Sequence, residues 1–306
     1  MPENTTAPRR RWLAAAGAGL GAAAMAAHAA TRAQEAWPPI TAFPSGTWSP
    51  GRWVWADLFT EDVGASERFY AAVFGWTFER TDALGGRYRL ALAGDEAVGA
   101  VVPREAGPGT PPGSRWMPLL SVEDPARAAR EASRVGVRVV VAPITLPGRG
   151  EVAILSDPEG LPFGVIRAIG GDPDDYLAEL NEWVWHELWA LDPERAARFY
   201  ASLGGAEIER ETDDAGRPYL QLSSGDVGRA SIRKTLFPDL PPVWIPFLRV
   251  ADAGAAAARV RAAGGRLVVE PRADRLEHLP KLVIAHLGAV EVEGFLDAHP
   301  VVPVLV

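Results

Sequence analysis

Two short stretches of this sequence alternate an acidic side chain with aromatic ones. Trp55, Asp57 and Phe59 do so in one stretch, and Trp185, Glu187 and Trp189 in another, 130 residues later. In an extended strand, residues two apart share one face. Such a face, lining a cleft, is an aromatic floor with one carboxylate. It suits a flat or cationic organic molecule held by stacking and cation–π contact. The alternative is that the rings pack as core and the carboxylate takes hydrogen bonds from backbone or arginine. Asp57 and Glu187 are also the candidates for a general base, a role that needs a partly buried carboxyl with a raised pKa. Arg249 shares a face with Ile245 and Phe247 and is the candidate to meet an anionic group or to pair with Glu187. Ser121 stands at the matching place 128 residues earlier.

A repeat positions these residues. Trp53-Val54-Trp55-Ala56-Asp57-Leu58 matches Trp183-Val184-Trp185-His186-Glu187-Leu188, and each is followed by an aspartate (Asp62, Asp192) and then by Phe-Tyr (Phe69-Tyr70, Phe199-Tyr200). Trp116-Met117-Pro118 matches Trp244-Ile245-Pro246 and leads to Asp124 and Asp252. Asp62, Asp124, Asp192 and Asp252 each stand just before a helical stretch, where a carboxylate accepts free amide hydrogens of the first turn. Pro125 and Pro193 follow at the first helical position, which suits them. Gly75, Gly136, Gly204 and Gly264 stand where a left-handed helix stop is expected. Short alternating strands follow at 88–92, 98–102, 137–141, 152–155, 163–166, 219–222, 266–269 and 289–292. The chain therefore divides into an export segment (1–33), an extended Pro-rich lead-in (34–52), a first domain (53–168), a linker (169–182), a second domain (183–297) and a tail (298–306).

The composition narrows the chemistry. No cysteine is present, which excludes disulfides, zinc–thiolate sites, iron–sulfur clusters and thiol nucleophiles. The net charge of −8 argues against a nucleic-acid partner. No Ser-His-Asp motif, phosphate loop or dinucleotide fingerprint occurs. At the N-terminus, Arg9-Arg10-Arg11-Trp12-Leu13 precedes an Ala/Gly-rich apolar run and small residues around Ala29 and Ala33. That is the layout of an export signal of the twin-arginine type. The run of about 16 residues falls short of the ~20 that span a bilayer. A periplasmic or extracellular protein with no stable membrane insertion after cleavage is expected, a homodimer being compatible.

Strand, aspartate, a helix bearing Phe-Tyr, then Phe74-Gly75-Trp76 and three strands resembles the βαβββ module of the vicinal-oxygen-chelate superfamily, whose members include glyoxalases, dioxygenases and bleomycin-resistance proteins. Asp157-Pro158-Glu159-Gly160 resembles that family's turn into the last strand. The resemblance implies an α+β fold of four βαβββ modules paired into two domains, each a curved sheet around a cleft. It also implies metal ligands seven residues before each helix-start aspartate, which here are Trp55, Met117, Trp185 and Ile245, and a carboxylate where this chain has Gly164 and Val292. None of these can bind a hard or borderline divalent ion. No metal or other cofactor is therefore expected. His186 lies one residue off the ligand position, on the helix side by alternation. A bulge would reverse its face and group it with Glu291 or Glu293 as a small metal cluster. His278 and His286 read as surface residues. The reading is an exported, metal-free small-molecule-binding protein. Two alternatives stand beside it: a lyase, isomerase or dioxygenase with a displaced metal or a carboxylate base, and a structural scaffold whose clefts are filled by tryptophan.

Overall fold

A computed structural model describes residues 36–105, 114–176, 178–213, 216–235, 241–267, 281–284 and 303–305. The segment read as an export signal, His278, His286, Glu291, Glu293, Val292 and the strand expected at 289–292 lie outside these residues.

Four helices start as the aspartates require. In α1 (Val63–Phe74), α2 (Pro125–Arg134), α3 (Pro193–Gly204) and α4 (Ala253–Ala262), the side chains of Asp62, Asp124, Asp192 and Asp252 accept the N–H of the residue three positions on. Gly75, Gly136 and Gly264 take positive φ after their helices, as expected. In the third helix the left-handed residue is Gly205 (φ 69°), one position later than the sequence suggests. Gly204 stays helical, and its lack of a Cβ serves a different end, because the chain passes there at close range: a Cβ on it would meet the Gly51 Cα at 2.3 Å. None of the described helices is long and apolar enough to cross a membrane.

The first sheet holds β1 (Trp53–Thr60), β2 (Thr77–Arg80), β3 (Arg89–Ala93), β4 (Glu96–Pro103), β5 (Arg115–Ser121), β6 (Val139–Leu146), β7 (Gly150–Ser156) and β8 (Pro162–Ala168). Its order is β2-β3-β4-β1-β5-β8-β7-β6. The second holds β9 (Trp183–Ala190), β10 (Glu207–Thr212), β11 (Pro218–Ser224), β12 (Val227–Lys234), β13 (Val243–Arg249), β14 (Arg266–Leu267), β15 (Lys281–Ile284) and β16 (Pro303–Leu305). Its order is β10-β11-β12-β9-β13-β15-β16-β14. These are the four expected βαβββ modules, and the pair within each copy forms one sheet. The second copy departs from the first at one edge. There β15 runs antiparallel to β13, where β8 runs parallel to β5, and β16 lies in what the sequence suggests is a tail.

Both leading strands carry a β-bulge at the same place. Trp53 and Trp55 face Leu120 and Leu119, so Val54 is the extra residue, and Trp183 and Trp185 face Leu248 and Phe247, so Val184 is. A bulge sends flanking side chains to opposite faces. Trp53 therefore joins the helix-side core, while Trp55 joins the cleft-side core.

The helix sides of the two domains pack against each other. One shared core joins α1 residues Phe69, Tyr70 and Val73 to Leu248, Ala256 and Val260 of the second domain. The other joins Ala128, Ala132 and Phe163 to Leu188, Phe199 and Trp244. The repeated Trp and Tyr have a common explanation here. The Trp116 indole donates to the Tyr70 hydroxyl at 2.8 Å, and the Trp244 indole donates to that of Tyr200 at 2.9 Å. The Asp157–Gly160 turn also bridges the domains. Glu159 accepts the N–H groups of Leu191 and Asp192 at the start of α3, and Asp157 accepts from the Tyr200 hydroxyl at 3.2 Å.

Candidate functional site

On the face of the first sheet turned away from the helices, Trp55, Asp57 and Phe59 lie side by side, and the Trp55 indole donates to Asp57 Oδ1 at 2.8 Å. The Tyr88 hydroxyl donates to the same oxygen at 2.6 Å. Arg149, in the turn between β6 and β7, places its guanidinium carbon 4.9 Å from the Trp55 ring and 5.0 Å from that of Tyr88. Burial pushes the Asp57 carboxyl up. The Arg149 charge and the bonds from Tyr88 and Trp55 pull the other way without overcoming it. Burial also drives the Tyr88 hydroxyl well above its ordinary value. Asp57 and Arg149 are each 1% exposed, yet Asp57 Oδ2 and Arg149 Nη2 carry no hydrogen-bond partner.

The lead-in covers this cleft. Gly51, Trp48, Gly46 and Ser45 are tied by hydrogen bonds to Ser121, Ala168, Gly170 and Asp172 at the sheet edge. The preceding Trp37 and Ile40 are buried in the cleft-side core with Trp55, Phe59, Tyr88 and Met117. The Trp37 ring meets Tyr88 edge-on at 5.3 Å, and the Pro38 carbonyl accepts from Arg149 Nε at 2.9 Å. Gly148 lets the strap approach, since a Cβ there would lie 2.5 Å from the Trp37 carbonyl oxygen.

The second cleft is built from the same positions with other chemistry. Asp57 faces Ala100 across the parallel pair, but Glu187 faces Ser231; Phe59 faces Val102, but Trp189 faces Arg233. Glu187 accepts from the Trp189 indole and the Ser231 hydroxyl, both at 2.8 Å, and its oxygen lies 2.9 Å from Arg233 Nε. Arg233 continues to Asp213 at 2.9 Å, and Asp213 to Arg217 at 2.8 Å. Burial alone would raise the Asp213 carboxyl, but the bonds from Arg217 and Arg233 outweigh it and hold it well below the usual carboxylate range. The Trp185 indole donates to Ser231 at 2.9 Å, and its ring is half-buried, unlike the buried Trp55.

Arg249 does not pair with Glu187. It is half-buried and donates to the Ala178 carbonyl of the linker at 2.7 Å, and Arg233 takes the place at the carboxylate. Ser121 donates to Asp172 at 2.6 Å. His186 sits on the helix side, because the bulge falls at Val184 and leaves it in phase with Leu188 and Ala190. It is buried beside Trp53 at 5.9 Å, and burial lowers its pKa to about 3. Tyr88, Arg149, Ser231, Arg233 and Asp213 do not stand out as site residues in the sequence. Alternation along 227–234 would have placed Ser231 and Arg233 together. Nothing local marks Arg149, which reaches Asp57 from the other half of its domain.

The positions that the resemblance assigns to a divalent metal do not fit one. Trp55 uses its indole N–H as a donor to Asp57, and Met117 is buried in apolar surroundings. At Gly164 even a Cβ would meet the Leu119 Cγ at 2.8 Å, so no carboxylate stem fits there. In the second domain, Trp185 and Ile245 supply no oxygen or imidazole. Among the described residues, no three His, Cys, Asp or Glu side chains gather.

Residues 53–166 match the family of glyoxalase-like domains. The chain is 29% identical over 221 residues to CFP32 of Mycobacterium tuberculosis, provisionally named a glyoxylase, covering 71% of this chain and 84% of that one. It is 27% identical over 266 residues to the anthracycline biosynthesis protein DauV of Streptomyces, covering 82% and 96%. The fold is shared with a Mn(II)-bound glyoxalase from Novosphingobium aromaticivorans, with a TM-score of 0.54 at 17% identity, over 84% of this chain and 82% of that one.

Proposed function

We propose that this glyoxalase-like chain is an exported protein that binds a small planar organic molecule without a divalent metal, with the second cleft as the binding site. The half-buried Trp185 ring carries this reading. Its edge is fixed by Ser231, and Ser231 is fixed by Glu187. A preorganised ring at the floor of a cleft gives stacking area at little entropic cost. Glu187, Arg233, Asp213 and Arg217 pair their charges along the same floor. A ligand there meets a neutral, polar wall beside an aromatic one. The relative named for anthracycline biosynthesis supports a flat aromatic ligand. Export rests on the Arg9-Arg10 leader.

A second reading, a reaction with Asp57 as proton acceptor, draws on the upward push that burial gives that carboxyl. It requires the strap to leave the cleft. A thermal-shift screen of flat aromatic compounds tests the binding reading, because a ligand selective for the folded state raises its stability. A hit should lose about five- to thirtyfold in affinity in Trp185→Ala, as removal of a stacking contact of roughly 1–2 kcal/mol implies. A hit indifferent to that change would sink the site. Elemental analysis after incubation with Mn(II) should give a substoichiometric ion; one ion per chain would favour the metalloenzyme.

A further inference from the structure

We propose that the first cleft is a second ligand site, that residues 37–40 are its built-in cover, and that its ligand is an aryl amide. The strap shows the chemistry the cleft accepts: an aromatic ring against Tyr88 and Arg149, and a carbonyl beside it that receives an N–H from Arg149. It satisfies that chemistry only in part. Asp57 Oδ2 needs a donor and Arg149 Nη2 needs an acceptor, and both atoms are buried and unpartnered under the strap. Buried polar groups in that state are uncommon. A primary carboxamide supplies a donor and an acceptor on one small planar group, and an attached ring takes the place of Trp37.

The cover is built to come away. Residues 45–51 are pinned to the sheet edge by successive hydrogen bonds. The tip is held by burial, by the Trp37 N–H on the Pro147 carbonyl and by Arg149 on Pro38. Pro38 and Pro39 have no N–H to add. A ligand must therefore compete with a tethered occupant, so its apparent affinity is reduced by the fraction of time the cleft is covered.

The test uses the full chain carrying Trp185→Ala, which removes the second cleft's stacking contribution, with indole-3-carboxamide as the probe and indole as the control. In calorimetry, adding Trp37→Ala should tighten carboxamide binding at least tenfold at one equivalent, and adding Asp57→Asn should abolish the gain. Hydrogen exchange of residues 37–43 should rise when the carboxamide binds the chain that retains Trp37. Unchanged carboxamide affinity in a folded Trp37→Ala chain overturns the proposal, and Trp37→Leu serves if the alanine variant does not fold. Indole binding as tightly as the carboxamide overturns the amide assignment. A result against this site leaves the Trp185 reading untouched, since that reading is judged with the first cleft unmodified.

Discussion

The carboxylate of Glu159 accepts the backbone N–H of Asp192 at 2.5 Å, so a turn of the first domain caps a helix of the second. The same carboxylate takes the N–H of Leu191 at 2.9 Å. An anion at a helix N-terminus is favoured by the unsatisfied donors and the helix dipole. The cap joins two domains that also share their helix-side cores.

Glu159→Ala should lower stability by about 1 kcal/mol, the usual worth of an N-terminal cap. Urea unfolding followed by tryptophan fluorescence reads the loss. A midpoint equal to that of the unaltered chain would show that the cap contributes nothing.

Gly204 and Gly205 should respond differently. Gly204→Ala drives a Cβ into the Gly51 backbone and should cost about 1–3 kcal/mol by overpacking. Gly205→Ala meets nothing within 4 Å but must hold φ at 69°, and should cost roughly 1 kcal/mol. Equal or reversed losses in thermal unfolding would contradict the close approach.

His186 and Asp157 should pull the pH dependence of stability in opposite directions. The folded His186 has its pKa lowered to about 3 from 6.5, so stability falls as pH drops from 6.5 toward 3, by about 1.4 kcal/mol per pH unit. Burial raises the folded Asp157 carboxyl to about 6 from 3.8, against the backbone N–H groups of Leu161 and Glu159. Stability therefore rises as pH drops from 6 to 3.8. Relative to the unaltered chain, His186→Leu should gain stability between pH 6 and 4, and Asp157→Asn should lose it. Chemical denaturation at pH 6, 5 and 4 checks both signs.

Arg233→Met should release both of its partners. Asp213 loses one of the cations that hold its carboxyl down, and Glu187 loses its ion pair with Arg233, leaving the indole and hydroxyl bonds. The Asp213 carboxyl should move up toward its ordinary value. Its stabilisation, present above the unfolded pKa and lost as pH falls through the folded one, should shrink. Carboxyl carbon NMR titration reads the shift directly; an Asp213 that titrates as before would rule out the Arg233 contribution.

The module order and the helix starts were legible because local rules govern them: Asp62, Asp124, Asp192 and Asp252 sit where a first turn needs an acceptor, and each accepts one. The shared face of Trp55 and Asp57 followed from alternation and is seen in their direct hydrogen bond. The bulges at Val54 and Val184 left no mark in composition, yet they decide which tryptophans turn toward the helices. Arg149 and Tyr88 reach Asp57 from distant parts of the chain, so only the folded sheet brings them together. Pro38 and Pro39 read as part of an extended lead-in, but the burial of Trp37 depends on a cleft that periodicity does not disclose.

The two sheets stand back to back, with their helices between them and their clefts on the outer sides. Two guests, one in each recess, would be separated by the full thickness of the protein and could not react with each other. Any influence of one on the other would have to cross the shared helix-side cores, which include the Trp–Tyr pairs and the Asp157–Tyr200 contact.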